Sequence, residues 1–127
     1  MASAVLDSSA VLAVLNGEPG AKVVMAALDG ALVSTVNYAE IVAKLVERGN
    51  SYADALSAIQ TIALTTVDFD LALAQRTGTL RAETAKRGLS LGDRACLSLA
   101  EREGLPAITA DRSWVDAVSG VEVRLFR

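Results

Sequence analysis

The sequence contains no histidine and only one cysteine, Cys96. Without an imidazole it cannot build a Ser–His–Asp triad, a Cys–His nucleophile pair or a histidine-ligated zinc site. With a single cysteine it cannot form an internal disulfide, which fits a reducing, cytoplasmic environment. Cys96 lies in an apolar helical pattern, so we expect a small core residue there rather than a reactive thiol.

Aromatic residues and positive charge are also scarce. Aromatics make up 4% of a chain that is 52% hydrophobic, so the core must consist mainly of Ala, Val, Leu and Ile. The net charge of −3 argues against a broad basic surface for nucleic acid. Binding to nucleic acid would therefore depend on a local feature of the surface, such as bound metal ions or a small arginine cluster. The acidic balance also suits a basic protein partner.

Long hydrophobic runs are absent as well. No stretch of about 18 apolar residues occurs, so we expect no membrane span. Residues 1–15 are apolar but lack a basic start and are interrupted by Asp7, which is unlike a signal peptide. A chain of 127 residues suits one domain, residues 1–127.

Short apolar runs of β type alternate with longer helical patterns. This alternation predicts a single α/β domain with a mostly parallel central sheet of four to five strands and helices on both faces. Strands are predicted at residues 4–6, 31–34, 63–67, 107–109 and 121–125. Helices are predicted at residues 8–15, 21–28, 36–48, 52–62, 71–86 and 91–102.

The third predicted helix, residues 36–48, carries an acid in apolar surroundings. Thr35 is its predicted N-cap. Its predicted apolar face comprises Val36, Ala39, Val42, Ala43 and Val46. Glu40 lies between Ala39 and the apolar run that follows, where an unpaired carboxylate would be costly. A solvated or salt-bridged glutamate is the alternative interpretation.

Four of the fifteen acids occupy positions that predict a common site. Asp7 directly follows the first strand, and Asp111 follows the strand at 107–109 after one residue. Ligand sites of open parallel sheets lie outside the carboxyl ends of the strands. Glu40 lies one turn into a helix that begins past a strand end, and Asp93 lies in the first turn of another helix. We expect these four carboxylates to converge on one cleft, with Asp116 as a fifth candidate.

Such a cluster is electrostatically unfavourable unless a cation neutralises it, because like charges raise one another's pKa and burial adds a desolvation cost. Oxygen-only ligands favour the hard ions Mg²⁺ or Mn²⁺. A cation held by carboxylates with open positions can bind a phosphate and generate hydroxide from water. Metal-assisted phosphodiester hydrolysis is therefore the predicted chemistry.

Three of these acids also have structural interpretations. Asp7 and Asp111 each precede a predicted helical turn and are candidate N-caps. Asp93 completes the pattern Ser90-Leu91-Gly92-Asp93, which is typical of a capping box. A capping role and a role in a metal site are compatible.

The sequence around these acids resembles the PIN-domain family, in particular the VapC-like toxins of type II toxin–antitoxin systems. The matching stretches are VLDSSA at 5–10, AEI at 39–41, LGDRACLSLA at 91–100 and TADRSW at 109–114. They follow the family's order and span essentially the whole chain.

The resemblance implies a Mg²⁺- or Mn²⁺-dependent endoribonuclease that is inhibited by a cognate antitoxin and forms homodimers through helical faces. The family's acidic quartet falls on Asp7, Glu40, Asp93 and Asp111, and a less regular fifth acid falls on Asp116. Site hydroxyls fall on Ser8 or Ser9 and on Thr109.

Basic residues near these motifs are candidates for holding the RNA backbone, and a solvated helix-end charge is the alternative interpretation for each of them. They are Lys86, Arg87, Arg94 and Arg112. Trp114 is the one aromatic residue close to the motifs. It is either a core residue or a platform for an RNA base.

Two other functions fit an α/β chain of this kind. A phosphoacceptor signalling domain would have paired acids after its first strand and a lysine beyond a late strand. The chain instead has Asp7-Ser8-Ser9, and its lysines are at positions 22, 44 and 86. A non-catalytic binding module would use the same fold with purely structural acids.

Overall fold

The computed structural model describes residues 2–127 and contains one sheet of five strands, ordered β3-β2-β1-β4-β5. Every strand pairing in it is parallel, which confirms the predicted sheet. The strands are β1 (Val5–Leu6), β2 (Leu32–Ser34), β3 (Thr65–Val67), β4 (Ala107–Thr109) and β5 (Val123–Leu125). The predicted strands are found at all five places, with shorter bounds at four of them.

The predicted helices are also present, with ends that shift by up to a few residues. They are α1 (Ser8–Asn16), α2 (Ala21–Met25), α3 (Thr35–Glu47), α4 (Tyr52–Gln60), α5 (Leu71–Thr84) and α6 (Leu91–Glu103). The predicted continuation of α5 to residue 86 is instead a 3-10 turn, Ala85–Arg87, and a second such turn spans Arg112–Trp114.

The N-cap of α3 is Ser34 rather than the predicted Thr35. The Ser34 hydroxyl accepts a hydrogen bond from the amide of Val36 at 3.2 Å, which satisfies one of the free N–H groups of the first turn. The Thr35 hydroxyl instead accepts from the amide of Phe69, 3.1 Å away, and so ties the start of α3 to the loop after β3.

The helices cover both faces of the sheet, as predicted. Helices α1 to α4 contribute to one apolar core, while α5 and α6 contribute to the other. Strand β1 supplies both cores, because successive side chains of a strand point to opposite faces. Its Leu6 belongs to the first core and its Val5 to the second.

Both Cys96 and Trp114 are fully buried in the second core. The prediction of a core cysteine is therefore confirmed. Trp114 is a core residue too, and its burial excludes it as a stacking platform for RNA bases.

The predicted apolar face of α3 is only partly correct, because of its five residues Val42 packs against the first core. The buried residues of this helix are Asn37, Ile41 and Leu45, spaced by four residues. Of the predicted face, Ala39, Ala43 and Val46 are exposed. The sequence offers two stripes of helical period on α3, and the packed stripe includes a polar asparagine. The exposed stripe is left without a partner within residues 2–127.

The strand order places β1 beside β4, with the chain leaving β1 towards β2 on one side and returning to β4 on the other. Such a point of reversal is where open parallel sheets form their ligand sites. Asp7 and Asp111 therefore leave neighbouring strands at this position, and the Asp7 amide donates to the carbonyl of Ile108 at 3.0 Å. No helix in the described residues is long and apolar enough to cross a membrane.

Candidate active site

Asp7 occupies the N-cap position of α1, but its side chain does not cap the helix. The carboxylate instead accepts hydrogen bonds at Oδ2 from the hydroxyls of Ser9, at 2.8 Å, and Thr109, at 2.9 Å. Its side chain is almost completely buried. Burial raises the pKa of Asp7 to about 6, the two hydroxyls lower it, and the nearby charge of Asp93 raises it. Asp7 is therefore a desolvated carboxylate.

Thr109, the last residue of β4, connects Asp7 to Asp111. Its hydroxyl donates to Asp7 and accepts from the amide of Asp111 at 3.1 Å. Asp111 is exposed, and its Oδ1 accepts from the amide of Ser113 at 2.9 Å and from the Ser113 hydroxyl at 2.7 Å. The capping interpretation of Asp111 is therefore confirmed, and this exposed residue is linked to Asp7 through the Thr109 hydroxyl.

Asp93 begins α6 in a complete capping box. Its Oδ2 accepts from the Ser90 amide at 2.9 Å, and its own amide donates to the Ser90 hydroxyl at 3.1 Å. Burial is the main cause that raises the pKa of Asp93, and the charges of Asp111 and Glu40 raise it further. The predicted capping box is confirmed, and the charges of Asp111 and Glu40 act on the same carboxylate.

Glu40 is half-buried and forms no salt bridge with any of residues 2–127. Its Oε1 accepts hydrogen bonds from the Ser8 hydroxyl at 2.6 Å and from Nδ2 of Asn37 at 2.9 Å. These contacts join the first turn of α1 to α3. Ser8 and Ser9, predicted as site hydroxyls, therefore each hold a different carboxylate.

Cys96 lies beneath the acids. Burial raises the pKa of its thiol, and the charges of Asp7, Asp93 and Glu40 add to this effect. The thiol is therefore unreactive. The acids whose charges act on the thiol come from three places in the chain: after β1, on α3 and on α6.

The donor set suits a hard divalent cation, because it consists of carboxylate oxygens and the mutual repulsion of the acids would be relieved by positive charge. In their present rotamers, however, no three Asp, Glu or Cys side chains of residues 2–127 lie close enough together to hold one metal ion. The carboxylates of Asp93 and Asp111 are each turned towards a local hydrogen-bond donor. To coordinate one metal ion together, these carboxylates would have to rotate away from their present donors.

The expectation that Arg94 contacts substrate needs correction. Its side chain is only 8% exposed, and its Nη1 donates to the main-chain carbonyl of Thr77 at 2.9 Å. The guanidinium therefore packs α6 against α5 and is turned away from solvent. Its position next to Asp93 in the sequence gave no sign of this, because neighbouring helical residues point in different directions.

The other predicted basic residues are all exposed. Arg87 donates from Nη1 to the carbonyls of Ser113, at 3.2 Å, and Val115, at 2.8 Å, and so secures the loop that follows Asp111. Arg112 and Lys86 carry their charges at the surface. Asp116 is exposed on the same loop with a φ of 59°, a conformation uncommon outside glycine.

Sequence reasoning missed Asn37 and Gly92, which both contact Glu40. The available signal for Asn37 was its spacing, because it lies three residues before Glu40 and four before Ile41 on one helical face. Gly92 offered no comparable signal, since its role depends on a contact between two helices far apart in sequence.

Comparison with known proteins agrees with this architecture. A chain of the DNA-bound VapBC complex from Salmonella typhimurium superposes with a TM-score of 0.79 at 20% identity, over 100% of both chains. A chain of a toxin–antitoxin complex from Klebsiella pneumoniae gives 0.79 at 20% identity over 98% of each. VapBC-5 from Mycobacterium tuberculosis gives 0.66 at 24% identity, over 100% of this chain and 99% of that one.

At sequence identities of 20% to 24%, these similarities establish a shared fold but not a shared activity. No curated protein sequence gives a significant match. The profile of the PIN domain matches residues 4–119, which is most of the chain. The chain therefore belongs to the PIN-domain family.

Proposed function

We propose that this PIN domain is a metal-dependent endoribonuclease that acts as a VapC-like toxin. The observation that carries the proposal is the buried carboxylate of Asp7, whose pKa is raised to about 6 by burial and by the neighbouring charge of Asp93. A protein does not bury a carboxylate beside another acid without a compensating cation or a functional need. Membership of the PIN family supports the same conclusion.

In this proposal Asp7, Asp93 and Asp111 hold Mg²⁺ or Mn²⁺, and Glu40 binds the cation or orients the attacking water. Asp116 is a further candidate ligand. When bound, the cation would lower the pKa of water and neutralise charge on the phosphate and the leaving oxygen.

The chain's own residues supply the geometry of the site. The hydroxyls of Ser9 and Thr109 fix the orientation of Asp7 through its Oδ2, and Ser8 holds Oε1 of Glu40. These contacts leave little rotational freedom to the two acids at the base of the site. Arg112 remains a candidate for contact with the RNA backbone, because it is exposed beside Asp111.

We further infer that a cognate antitoxin inhibits the enzyme and that the protein forms a homodimer. Structural neighbours include chains from toxin–antitoxin complexes, among them VapBC from Salmonella typhimurium bound to DNA. The net charge of −3 suits a basic partner. The exposed stripe of Ala39, Ala43 and Val46 on α3 is one apolar helical face available for self-association.

The proposal is tested by incubating purified protein with a panel of structured and unstructured RNAs. We expect endonucleolytic products in Mg²⁺ or Mn²⁺ and none after chelation, with activity restored when the ion is returned. Activity should rise from acid towards neutral pH, because metal binding requires ionised carboxylates. Cleavage that persists undiminished in chelator would contradict the proposal.

A non-catalytic binding module on the PIN fold is the second candidate. It is favoured by the local hydrogen bonds of Asp93 and Asp111, which give both acids a structural role, and by their separation in the present rotamers. Binding of Mn²⁺ without cleavage of any RNA in the panel would support this alternative. The phosphoacceptor interpretation gains nothing from the match to the PIN domain.

A further inference from the structure

Glu40 is held by a buried side-chain amide, that of Asn37. Asn37 is fully buried, and its Nδ2 donates to Oε1 of Glu40 at 2.9 Å and to the carbonyl of Gly92 at 3.0 Å. Gly92 directly precedes Asp93. One amide group therefore links the acid on α3 to the turn of α6 that carries another acid.

The orientation of the Asn37 amide is fixed by these two acceptors. A flipped amide would point its oxygen at a carboxylate and a carbonyl, which are both acceptors, so the nitrogen must face them. The remaining oxygen, Oδ1, is buried and has no hydrogen-bond partner among the described residues. A buried acceptor left unpaired costs stability, and such groups are rare without a functional reason.

Gly92 completes the arrangement from the other side. A Cβ at this position would lie 2.6 Å from both Cδ and Oε1 of Glu40 and closer still to Oε2. The residue lies within α6 and its φ is not positive, so its backbone does not require glycine. Glycine lowers helix stability relative to alanine. What glycine provides here is space for the Glu40 carboxylate against the backbone of α6.

We propose that Asn37 is a positioning residue for Glu40. We also propose that residue 92 is glycine because the Glu40 carboxylate packs directly against the backbone there. Asn37 restrains Oε1, while Gly92 allows α3 and α6 to approach closely enough to bring Glu40 next to Asp93. The inference rests on the proposed function, because it concerns the geometry of the proposed catalytic acids. Neither residue contacts the RNA or the cation in this proposal.

The chain offers a matched control for each position. Gly78 is a second glycine inside a helix, α5, and a Cβ there would meet nothing within 4 Å. Asn50 is a second asparagine whose Nδ2 donates to a main-chain carbonyl, that of Leu45 at 2.9 Å, at the opposite end of α3. Neither control residue contacts a carboxylate of the site.

The test measures Mn²⁺ affinity and RNA cleavage for Gly92→Ala and Asn37→Ala, with Gly78→Ala and Asn50→Ala as controls. We expect both site variants to lose roughly 10- to 100-fold in Mn²⁺ affinity or in kcat, with an unchanged KM for RNA. The controls should match the wild type in both measurements. Thermal unfolding curves of all the variants identify a temperature at which every variant is folded. Mn²⁺ affinity and RNA cleavage are then measured at that temperature.

Coupling to Glu40 separates positioning from general stability. If Asn37 acts through Glu40, the double variant Asn37→Ala/Glu40→Gln should be no worse in Mn²⁺ affinity than Glu40→Gln alone. Additive losses in the double variant, or unchanged affinity and kcat in both site variants, would overturn the positioning role while leaving the nuclease intact. Wild-type protein that neither binds Mn²⁺ nor cleaves RNA would overturn the proposed function, and the inference with it.

Discussion

The variant Asp7→Asn should lose RNA cleavage and become more stable than the wild type at pH 7 in the absence of metal. Cleavage should fall by roughly 100-fold or more, the loss typical when a group acting at the reacting centre is removed. The stability gain follows from the burial of Asp7, which raises the pKa of its carboxyl from 3.8 to about 6. Initial cleavage rates and thermal or denaturant unfolding measure the two effects.

The sign of the stability change follows from proton linkage. Because the folded protein holds a proton on Asp7 more tightly than the unfolded chain, stability falls as the pH rises from about 4 through 6. At pH 7 the ionised carboxylate costs about 3 kcal/mol, which a neutral asparagine avoids. The advantage of Asp7→Asn should therefore be largest at pH 7 and disappear near pH 4.

Asp70→Asn is the matched control for Asp7→Asn. Asp70 caps α5, and a hydrogen bond from the Leu73 amide and the nearby Arg102 hold its pKa below the usual value. Loss of this charge should leave cleavage unchanged and give no gain in stability at pH 7. Wild-type cleavage by Asp7→Asn would contradict the catalytic assignment, and a loss of stability at pH 7 would contradict the cost assigned to its buried charge.

The variant Gly20→Ala should be strongly destabilised. Gly20 has a φ of 87°, and an added Cβ would overlap the main-chain carbonyl oxygen of Phe126 and lie 2.8 Å from its Cδ1. The backbone conformation and the overlap are both unfavourable, and together we expect a loss of about 2–5 kcal/mol in the free energy of unfolding. Denaturant unfolding followed by circular dichroism measures the loss.

Gly17→Ala provides the comparison for Gly20→Ala. Gly17 also has a positive φ, 62°, but a Cβ there would meet nothing within 4 Å. Its loss should be limited to backbone strain, about 1–2 kcal/mol. Equal losses for the two variants would show that the contact between Gly20 and the C-terminal segment contributes nothing to stability.

The strands and the acids that follow them could be predicted from the sequence, because both depend on residues that are close together along the chain. Short apolar runs fix where β1 and β4 end, and parallel pairing then brings Asp7 and Asp111 to the same edge. The caps at Ser90 and Asp111 were also readable, since a cap and its partner lie within three residues.

Contacts between distant elements could not be read in the same way. The packed face of α3 was missed because Asn37 made the true stripe look polar, whereas an alternative stripe of Ala and Val looked apolar. Arg94 turns towards Thr77 only because α5 crosses α6 there. The packing of the Glu40 carboxylate against Gly92 likewise depends on how closely α3 and α6 approach each other.

The proposed function depends on one divalent cation shared by Asp7 after β1, Glu40 on α3, Asp93 on α6 and Asp111 after β4. Titration of Mn²⁺ followed by electron paramagnetic resonance tests it most directly, with Asp7→Asn and Asp93→Asn compared with Asp70→Asn. We expect Mn²⁺ to bind the wild type and Asp70→Asn with similar affinity, and to bind the two site variants more weakly. Equal Mn²⁺ affinity in all four proteins, or no binding by the wild type, would contradict it.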